Sequence, residues 1–193
     1  ARRRGGPRDR AHPAAPPVPA RPDGRPLDGL RVRRIDPADS AEIERFYAEL
    51  SDESRRTRFF AAGAGLSHKQ SVSFCTPDHD HREGFVAVVP EAERGAELIV
   101  GHLCLEPAGA HVAEVAIAVA DGYQHRGIGR RLMEAGVAWA RSEGLTVLTA
   151  TTYMGNAPIH RLLTGLGLPA HTTDAGSGTE DITIELTGPV VPD

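Results

Sequence analysis

The spacing of hydrophobic residues changes several times between Leu30 and Leu186, and each change predicts a strand or a helix. Short runs of apolar, often β-branched residues bounded by turn residues are typical of strands. Such runs lie at Leu30–Ile35, Phe85–Val89, Leu98–Leu105, His111–Val119, Val147–Thr152 and Asp181–Leu186. The turn-rich segment 90–95 joins the second run to the third and predicts that these two strands form an antiparallel pair.

Helical spacing separates these runs. Ile43, Phe46, Tyr47 and Leu50 recur every three or four residues after Asp36-Pro37, a pair that is typical of a helix start. Further helices are predicted at Asp52–Phe60, Ser67–Cys75, Gly127–Glu143 and Ala157–Leu166. Strands interleaved with helices in this way predict an α/β (α+β) fold, in which a mixed sheet carries helices on its faces.

Composition divides the chain into a folded region and two ends. Residues 1–27 hold seven of the fifteen prolines and almost no bulky apolar side chains. Such a segment buries too little surface to offset chain entropy, so we expect a disordered tail there. Residues 28–188 are expected to form one domain, followed by a short C-terminal tail at 189–193.

The formal charge is distributed unevenly. Residues 1–27 carry seven arginines and two aspartates, a net charge of +5, and subtracting this from the whole-chain value of −4 leaves −9 on the rest. An acidic body with a basic tail is not typical of a nucleic-acid-binding protein and favours a cationic substrate or partner. Two cysteines, Cys75 and Cys104, are too few for a disulfide scaffold. The apolar runs are too short for a membrane span. We therefore expect a cytoplasmic protein without a membrane partner.

The most informative segment runs from Val115 to Leu132, where a predicted strand meets a helix through a turn containing Gly127 and Gly129. Glycine disfavours helices, so two glycines at a helix start indicate a special role. The first N–H groups of a helix and the positive end of its dipole suit a phosphate. The basic residues of this turn add positive charge around it: His125, Arg126, Arg130 and Arg131.

The spacing of this segment excludes two common phosphate-binding motifs. It lacks the third glycine of a dinucleotide fingerprint, and no Gly-Lys-Ser/Thr closes a P-loop. It matches the pattern Gln/Arg-x-x-Gly-x-Gly/Ala through Gln124, Gly127 and Gly129. This pattern resembles the pyrophosphate loop of the GNAT superfamily of acetyl-coenzyme A-dependent N-acetyltransferases.

The predicted order of elements from Leu30 to Leu186 is also similar to that of the GNAT fold. The resemblance implies a mixed, mostly antiparallel central sheet flanked by helices on both faces. It also implies that acetyl-CoA is the co-substrate, that no metal is needed, and that a splayed strand pairs with the pantetheine arm. The implied coenzyme-binding residues are Ile117, Ala118, Val119, Gln124, His125, Arg126, Gly127, Ile128, Gly129 and Arg130.

Glu114 interrupts a strand that is otherwise apolar on both faces. A buried carboxylate there is unfavourable unless it is paired or has a chemical role. One interpretation is a strand-edge glutamate bonded to a neighbouring arginine. The other is a general base, because an amine, with a lysine pKa of about 10.4, must lose a proton before it attacks a thioester. For this role we expect Glu114 to be partly buried, which would raise its pKa and let it take the proton directly or through water. In many GNAT enzymes the base lies on this strand, so Glu114 is the predicted catalytic residue.

Asn156 opens a predicted helix and has two compatible interpretations. It can be a plain N-cap, and it also resembles the GNAT asparagine that contacts the coenzyme at this position. The tyrosine that often serves as general acid in the family falls at Leu163, so that acid is missing here. A coenzyme thiol similar to cysteine, with a pKa of about 8.5, is a tolerable leaving group without a dedicated proton donor.

A second resemblance lies in the stretch Leu50 to Phe60, which has the form Leu-Ser-x-x-Ser-x-x-x-Arg-Phe-Phe. It is similar to the start of the acetyltransferase domain in bacterial Pat-type protein lysine acetyltransferases. This resemblance implies a lysine ε-amine acceptor on a protein such as an acyl-CoA synthetase. The arginines of the stretch, Arg55, Arg56 and Arg58, are interpreted as a solvated helix face or as residues that border the acceptor groove.

Two other side-chain groups suggest chemistry less strongly. The residue types of a metal site occur at His79, His81 and His102, with Asp78 and Asp80. The segment around residues 78–81 lies between predicted elements, however, and is more typical of a polar loop. Cys75 and Cys104 lie in apolar contexts without an adjacent base, which argues against an acyl-carrying cysteine.

The sequence thus predicts an N-acetyltransferase that moves an acetyl group directly from acetyl-CoA to an amine. The amine acceptor follows from the chemistry of the residues, whereas the protein lysine follows from the resemblance alone. Acetylation of a small amine, such as an antibiotic, a polyamine or an amino acid, is a second interpretation. A domain that binds acyl-CoA without turning it over is a third.

Overall fold

The protein is described here by a computed structural model that covers residues 27–60, 66–91 and 95–186. Seven strands in these ranges form one sheet in the order β1-β2-β3-β4-β5-β7-β6. In chain order they are β1 (Arg31–Arg34), β2 (Glu83–Glu91), β3 (Ala96–Gly109), β4 (Val112–Val119), β5 (Val147–Tyr153), β6 (Ala170–Gly176) and β7 (Thr179–Glu185).

One junction in this sheet differs from the others. All neighbouring strands are antiparallel except β4 and β5, which are parallel. These two pair only at Val112–Val147, Ala113–Leu148 and Glu114–Thr149. Beyond Glu114, β4 continues to pair with β3, and β5 continues to pair with β7. The sheet therefore opens between β4 and β5, as the resemblance implies.

Five α-helices lie in the described residues. They are α1 (Ser40–Glu49), α2 (Asp52–Phe59), α3 (His68–Cys75), α4 (Ile128–Ser142) and α5 (Ala157–Gly165). The predicted start at Asp36-Pro37 forms a capping box with Asp39 and a 3₁₀ turn that leads into α1. Ser51 caps α2 and Ser67 caps α3.

Helices cover both faces of the sheet, as predicted. On one face, the apolar stripe of α4 packs with inward side chains of β2 to β5, and Leu132 and Met133 are fully buried. On the other face, α1 and α3 enclose a second core that includes Tyr47 and Cys75. The first of these cores holds α4 against β2, β3 and β4. The start of α4 therefore lies beside the end of β4, next to the opening.

The structure differs from the sequence prediction at one boundary and adds one strand. Leu27, which the sequence assigned to the tail, is buried in the core. The rest of the predicted N-terminal tail, residues 1–26, lies outside the described residues. The predicted C-terminal tail, residues 189–193, also lies outside them, as do residues 187 and 188. β6 was missed because its residues, Ala170–Gly176, are polar or small and all exposed. An edge strand of this kind has no hydrophobic alternation.

No helix among the described residues combines the length and the apolar character needed to cross a membrane.

We expect Gly101→Ala to destabilise the fold by about 1–3 kcal/mol, because the added methyl group overpacks the contact between α4 and β3. A Cβ at Gly101 would lie 2.9 Å from Cδ1 of Leu132 and 3.2 Å from Cγ2 of Ile128. Urea unfolding measures the change. The matched control is Gly165→Ala, where nothing lies within 4 Å of an added Cβ, and it should change stability by less than about 1 kcal/mol. Equal stability of the two variants would contradict this account of the packing.

Candidate active site

The loop between β4 and α4 turns its backbone around one point. A 3₁₀ turn at Asp121–Tyr123 leads into Gln124, and His125 and Gly127 then adopt positive φ angles of 59° and 75°. Successive N–H groups in such a winding form a concave anion-binding surface. An added Cβ at Gly127 would meet nothing within 4 Å, so glycine is needed there for its backbone angle and not for space.

The amino end of α4 differs from the other helix starts. Side chains cap α2, α3, α5 and the 3₁₀ turn before α1. At α4, Gly127 is the N-cap residue, no side chain accepts a hydrogen bond, and no acidic residue lies in the first turn. A fifteen-residue helix therefore presents an uncapped positive end beside the opening in the sheet. This combination suits a phosphate or a diphosphate.

The predicted basic residues contribute unequally to this site. His125 is exposed and Arg126 is partly exposed on the loop. The Nε of Arg130 lies 2.9 Å from Oε1 of Glu134, and its Nη1 donates to the carbonyl of Gly165 at 3.2 Å. Arg130 thus joins α4 to the end of α5, and its charge is partly neutralised by Glu134.

The remaining predicted loop residues support the backbone. Ile128 is buried in the core, so its side chain serves packing. A Cβ on Gly129 would lie 3.7 Å from Cδ2 of Leu162 and 3.8 Å from Cδ1 of Ile117, which is ordinary contact distance. Gln124 donates from Nε2 to the carbonyl of Val119 at 3.1 Å. This hydrogen bond fixes the loop to the end of β4.

Ile117, Ala118 and Val119 lie on the part of β4 that no longer pairs with β5. Their side chains are partly buried, with Ile117 and Val119 against the α4 core and Ala118 against the α1 core. Their backbone therefore borders the opening, where an extended ligand can add to the strand edge. This placement agrees with the predicted backbone role.

Asn156 caps α5. Its Oδ1 accepts from the N–H of Ile159 at 3.5 Å, and its Nδ2 donates to Oγ1 of Thr152 at 2.7 Å. The plain N-cap interpretation is therefore correct, and the contact with the coenzyme stays a prediction. Leu163, which stands where the family often has a tyrosine, is buried in the core.

Glu114 lies on the face of the sheet that carries α2, because its neighbours Ala113 and Val115 pack in the α4 core. Its side chain is exposed and makes no hydrogen bond within the described part of the chain. The partial burial expected from the apolar strand is not observed. Glu106 stands directly opposite on β3, but Arg82 binds it at 2.6 and 2.9 Å. Of these two facing carboxylates, Glu114 is therefore the one accessible to a cation.

A polar cluster behind Glu114 was not predicted. The Nη2 of Arg58 lies 3.1 Å from Sγ of Cys104, and its guanidinium carbon lies 5.0 Å from the centre of the Phe59 ring. Its Nε is buried without a hydrogen-bond partner among the described residues. The solvated-face interpretation is therefore wrong for Arg58, although Arg56 is exposed. The two phenylalanines that follow Arg58 in the sequence were the available signal.

Burial and several neighbouring groups set the pKa of Arg58. Burial lowers the pKa of Arg58, but Tyr47, Cys104 and Glu114 together outweigh this and raise it. Burial raises the pKa of Tyr47 to about 12 and also raises that of the Cys104 thiol. Because burial also lowers the pKa of His102 to about 3, His102 is neutral at pH 7. Among the groups that act on the pKa of Arg58, Glu114 has the smallest effect.

The residues considered for a metal do not come together. Nδ1 of His79 lies 3.0 Å from the buried carboxylate of Glu83, whereas Nδ1 of His102 lies 2.8 Å from the hydroxyl of Tyr47 in the core. Asp78 accepts from three backbone N–H groups of its own loop. Across the described ranges, no group of three or more His, Cys, Asp or Glu side chains is arranged to hold a metal ion.

Comparison with known proteins agrees with this geometry. The family model described as the acetyltransferase (GNAT) family matches residues 41–168. The GNAT domain of S. lividans PAT superposes with a TM-score of 0.71 at 27% identity, covering 86% of this chain and 94% of that one. A GCN5-related N-acetyltransferase from Kribbella flavida has a TM-score of 0.63 at 24% identity, over 82% and 98% of the two chains. The yncA protein of Salmonella typhimurium, solved with acetyl-CoA, has a TM-score of 0.66 at 18% identity, over 86% and 99%.

The dissociation constant of coenzyme A should be about tenfold higher, or more, for Gly127→Asp than for Gly127→Asn. The aspartate places a negative charge at the uncapped end of α4, where the diphosphate is expected to bind. Both side chains tolerate a positive φ, so the two variants carry the same backbone strain. Calorimetric titration with coenzyme A measures the dissociation constants. Equal affinities of the Asp and Asn variants would show that the diphosphate does not bind at this helix end.

Proposed function

The chain belongs to the GNAT acetyltransferase family, and from this premise we propose that it transfers the acetyl group of acetyl-CoA to a lysine ε-amine of a protein. The observation that carries the proposal is the uncapped amino end of α4 beside the opening between β4 and β5, with Glu114 on the same strand. An anion site, a free strand edge and an accessible carboxylate are the three parts that direct acetyl transfer to an amine requires.

The coenzyme would be held mainly by backbone. Its diphosphate would bind the N–H groups of the loop from Gln124 to Arg130, and its pantetheine arm would lie along Ile117 to Val119. Asn156 already caps α5, so any contact with the coenzyme would be an additional role for it. An N–H group on the free edge of β4 would polarise the thioester carbonyl, which is oxyanion stabilisation by a fixed dipole.

In the transfer step, the amine nitrogen attacks the thioester carbon. The C–N bond forms, the C–S bond breaks, and the sulfur leaves as a thiolate. Glu114 would take the proton that the ammonium must lose, directly or through a water molecule. The exposure of Glu114 supports this role, because an acceptor or water can reach it from solvent. With Leu163 buried, the thiolate would leave without a proton from α5.

Three observations support a protein acceptor. The GNAT domain of S. lividans PAT is similar at 27% identity, and the segment from Leu50 to Phe60 resembles the Pat-type motif. The body of the chain is acidic, which favours a cationic side chain. The face of β5, β7 and β6 next to Glu114 carries the exposed residues Thr151, Asp181 and Thr183. An open polar surface of this kind leaves room for a macromolecule.

Glu114→Gln should lower kcat/KM at neutral pH by about 100-fold or more, the contribution typical of a general base. The deficit should shrink as the pH approaches the ordinary lysine pKa of about 10.4, because the amine then loses its proton to solvent. Release of coenzyme A thiol measures the rate, and calorimetry should show unchanged acetyl-CoA affinity. Glu106→Gln, on the opposite strand, is the matched control and should retain activity of the same order as the unmodified protein. Full activity of Glu114→Gln with an unchanged pH profile would exclude Glu114 as the base.

A turnover screen with acetyl-CoA tests the acceptor. Lysine-bearing proteins, including an acyl-CoA synthetase, are compared with a panel of polyamines, amino acids and aminoglycosides, and modified residues are mapped by mass spectrometry. We expect thiol release with the proteins and acetylation of defined lysines. Turnover only with small amines would assign the chain to the second interpretation. Coenzyme binding without any turnover would indicate a sensor domain.

A further inference from the structure

Asp121 joins two elements that are far apart in the sequence. Its Oδ1 accepts from the hydroxyls of Ser51 and Ser54, each at 2.7 Å, and its Oδ2 accepts from the N–H of Ser51 at 2.8 Å. Burial raises the pKa of Asp121, but the hydrogen bonds from Ser51 and Ser54 outweigh this and lower it. The ionised carboxylate therefore connects the start of α2 to the 3₁₀ turn that precedes the coenzyme loop.

Gln124 extends this connection into the loop itself. Its Nε2 lies 3.3 Å from Oγ of Ser54 and 3.1 Å from the carbonyl of Val119. Ser54 thus contacts both Asp121 and Gln124. We call this set of four residues, Ser51, Ser54, Asp121 and Gln124, the serine latch. It links α2 to the end of β4 and to the first residue of the predicted coenzyme loop.

The position of α2 depends on polar contacts to an unusual degree. None of its side chains is fully buried, in contrast to α1, α3, α4 and α5. Its amino end is held by the serine latch, and its carboxyl end is held by Arg58 and by Phe59, whose ring lies 5.1 Å from that of Tyr47. A helix attached in this way can shift when one of its ends is released.

The two ends of α2 face different parts of the candidate site. Its eight residues span about 12 Å, so it reaches from the coenzyme loop towards the acceptor side. The charge of Glu114 contributes a little to the raised pKa of Arg58 near the carboxyl end of α2. Just beyond that end, the ring of Phe60 lies 5.4 Å from that of Tyr153 on β5. A movement of α2 would therefore alter the surroundings of Glu114.

We infer that Asp121 and Ser54 are positioning residues that couple coenzyme binding to the placement of α2 on the acceptor side. The inference rests on the proposed function, because it requires coenzyme A to bind the loop from Gln124 to Arg130. A ligand that orders this loop also orders the residues bonded to it, so α2 becomes better fixed when the coenzyme is present. The acceptor then meets α2 in a better-fixed position when the coenzyme is bound.

Hydrogen exchange of α2, followed by mass spectrometry with and without saturating coenzyme A, tests this coupling. In the unmodified protein, coenzyme A should slow exchange in α2 about fivefold to tenfold, a coupling of ordinary size. In Ser54→Ala and in Asp121→Asn the slowing should fall below about twofold. Alanine favours helix more than serine does, so Ser54→Ala removes the latch contacts without lowering the intrinsic helix propensity of α2.

Thr57→Ala is the matched control. It removes a hydroxyl from the same helix, and among the described residues that hydroxyl bonds only to the carbonyl of Glu53 within α2. It should retain the full effect of coenzyme A on exchange. If calorimetry shows no binding of coenzyme A to the unmodified protein, the proposed function fails and the inference fails with it. If coenzyme A binds and protects α2 equally in Ser54→Ala and in the unmodified protein, the inference alone is overturned.

Discussion

The pairing between β4 and β5 stops at Glu114, and the candidate site depends on this constraint. Backbone N–H and C=O groups need partners, and a strand that loses its neighbour exposes a row of them. Here β4 keeps β3 on one side and loses β5 after Glu114 on the other. The turn into α4 follows immediately, so a free strand edge and an uncapped helix end lie next to each other. The apolar face of α4 packs against the sheet, and this packing fixes the start of the helix beside the free edge of β4.

Charge on the acceptor face is arranged so that one carboxylate stays accessible. Two glutamates directly opposite on neighbouring strands repel each other unless one is neutralised. Arg82 neutralises Glu106 with two hydrogen bonds, and this leaves Glu114 exposed. Behind the strand, Arg58 is enclosed by aromatic rings and lies near Glu114 without an ion pair to it. The side chain of Glu114 remains exposed to solvent.

The sequence predicted the elements with a clear hydrophobic period and missed the features set by tertiary contacts. Ile43, Phe46 and Tyr47 are buried as their spacing predicted, and the glycine turn lies where the motif placed it. β6 was missed because an exposed edge strand has no apolar alternation to detect. The enclosure of Arg58 was missed because it arises from Phe74 and Cys104, which lie far from it in the sequence. Glu114 was expected to be partly buried from its apolar neighbours, but those neighbours face the other side of the sheet or lie beside the opening.

The two sides of the candidate site are held by different forces, and this has a consequence for how the protein can vary. The side proposed for the coenzyme rests on α4, whose apolar face is part of the main core, so changes there affect the stability of the whole fold. The side proposed for the acceptor rests on α2, which has no fully buried residue and is fixed by hydrogen bonds and ring contacts. Polar contacts at a surface contribute little to global stability, so the exposed residues of α2 can change without unfolding the domain. A fixed means of holding the coenzyme can therefore be combined with an adaptable surface for the acceptor.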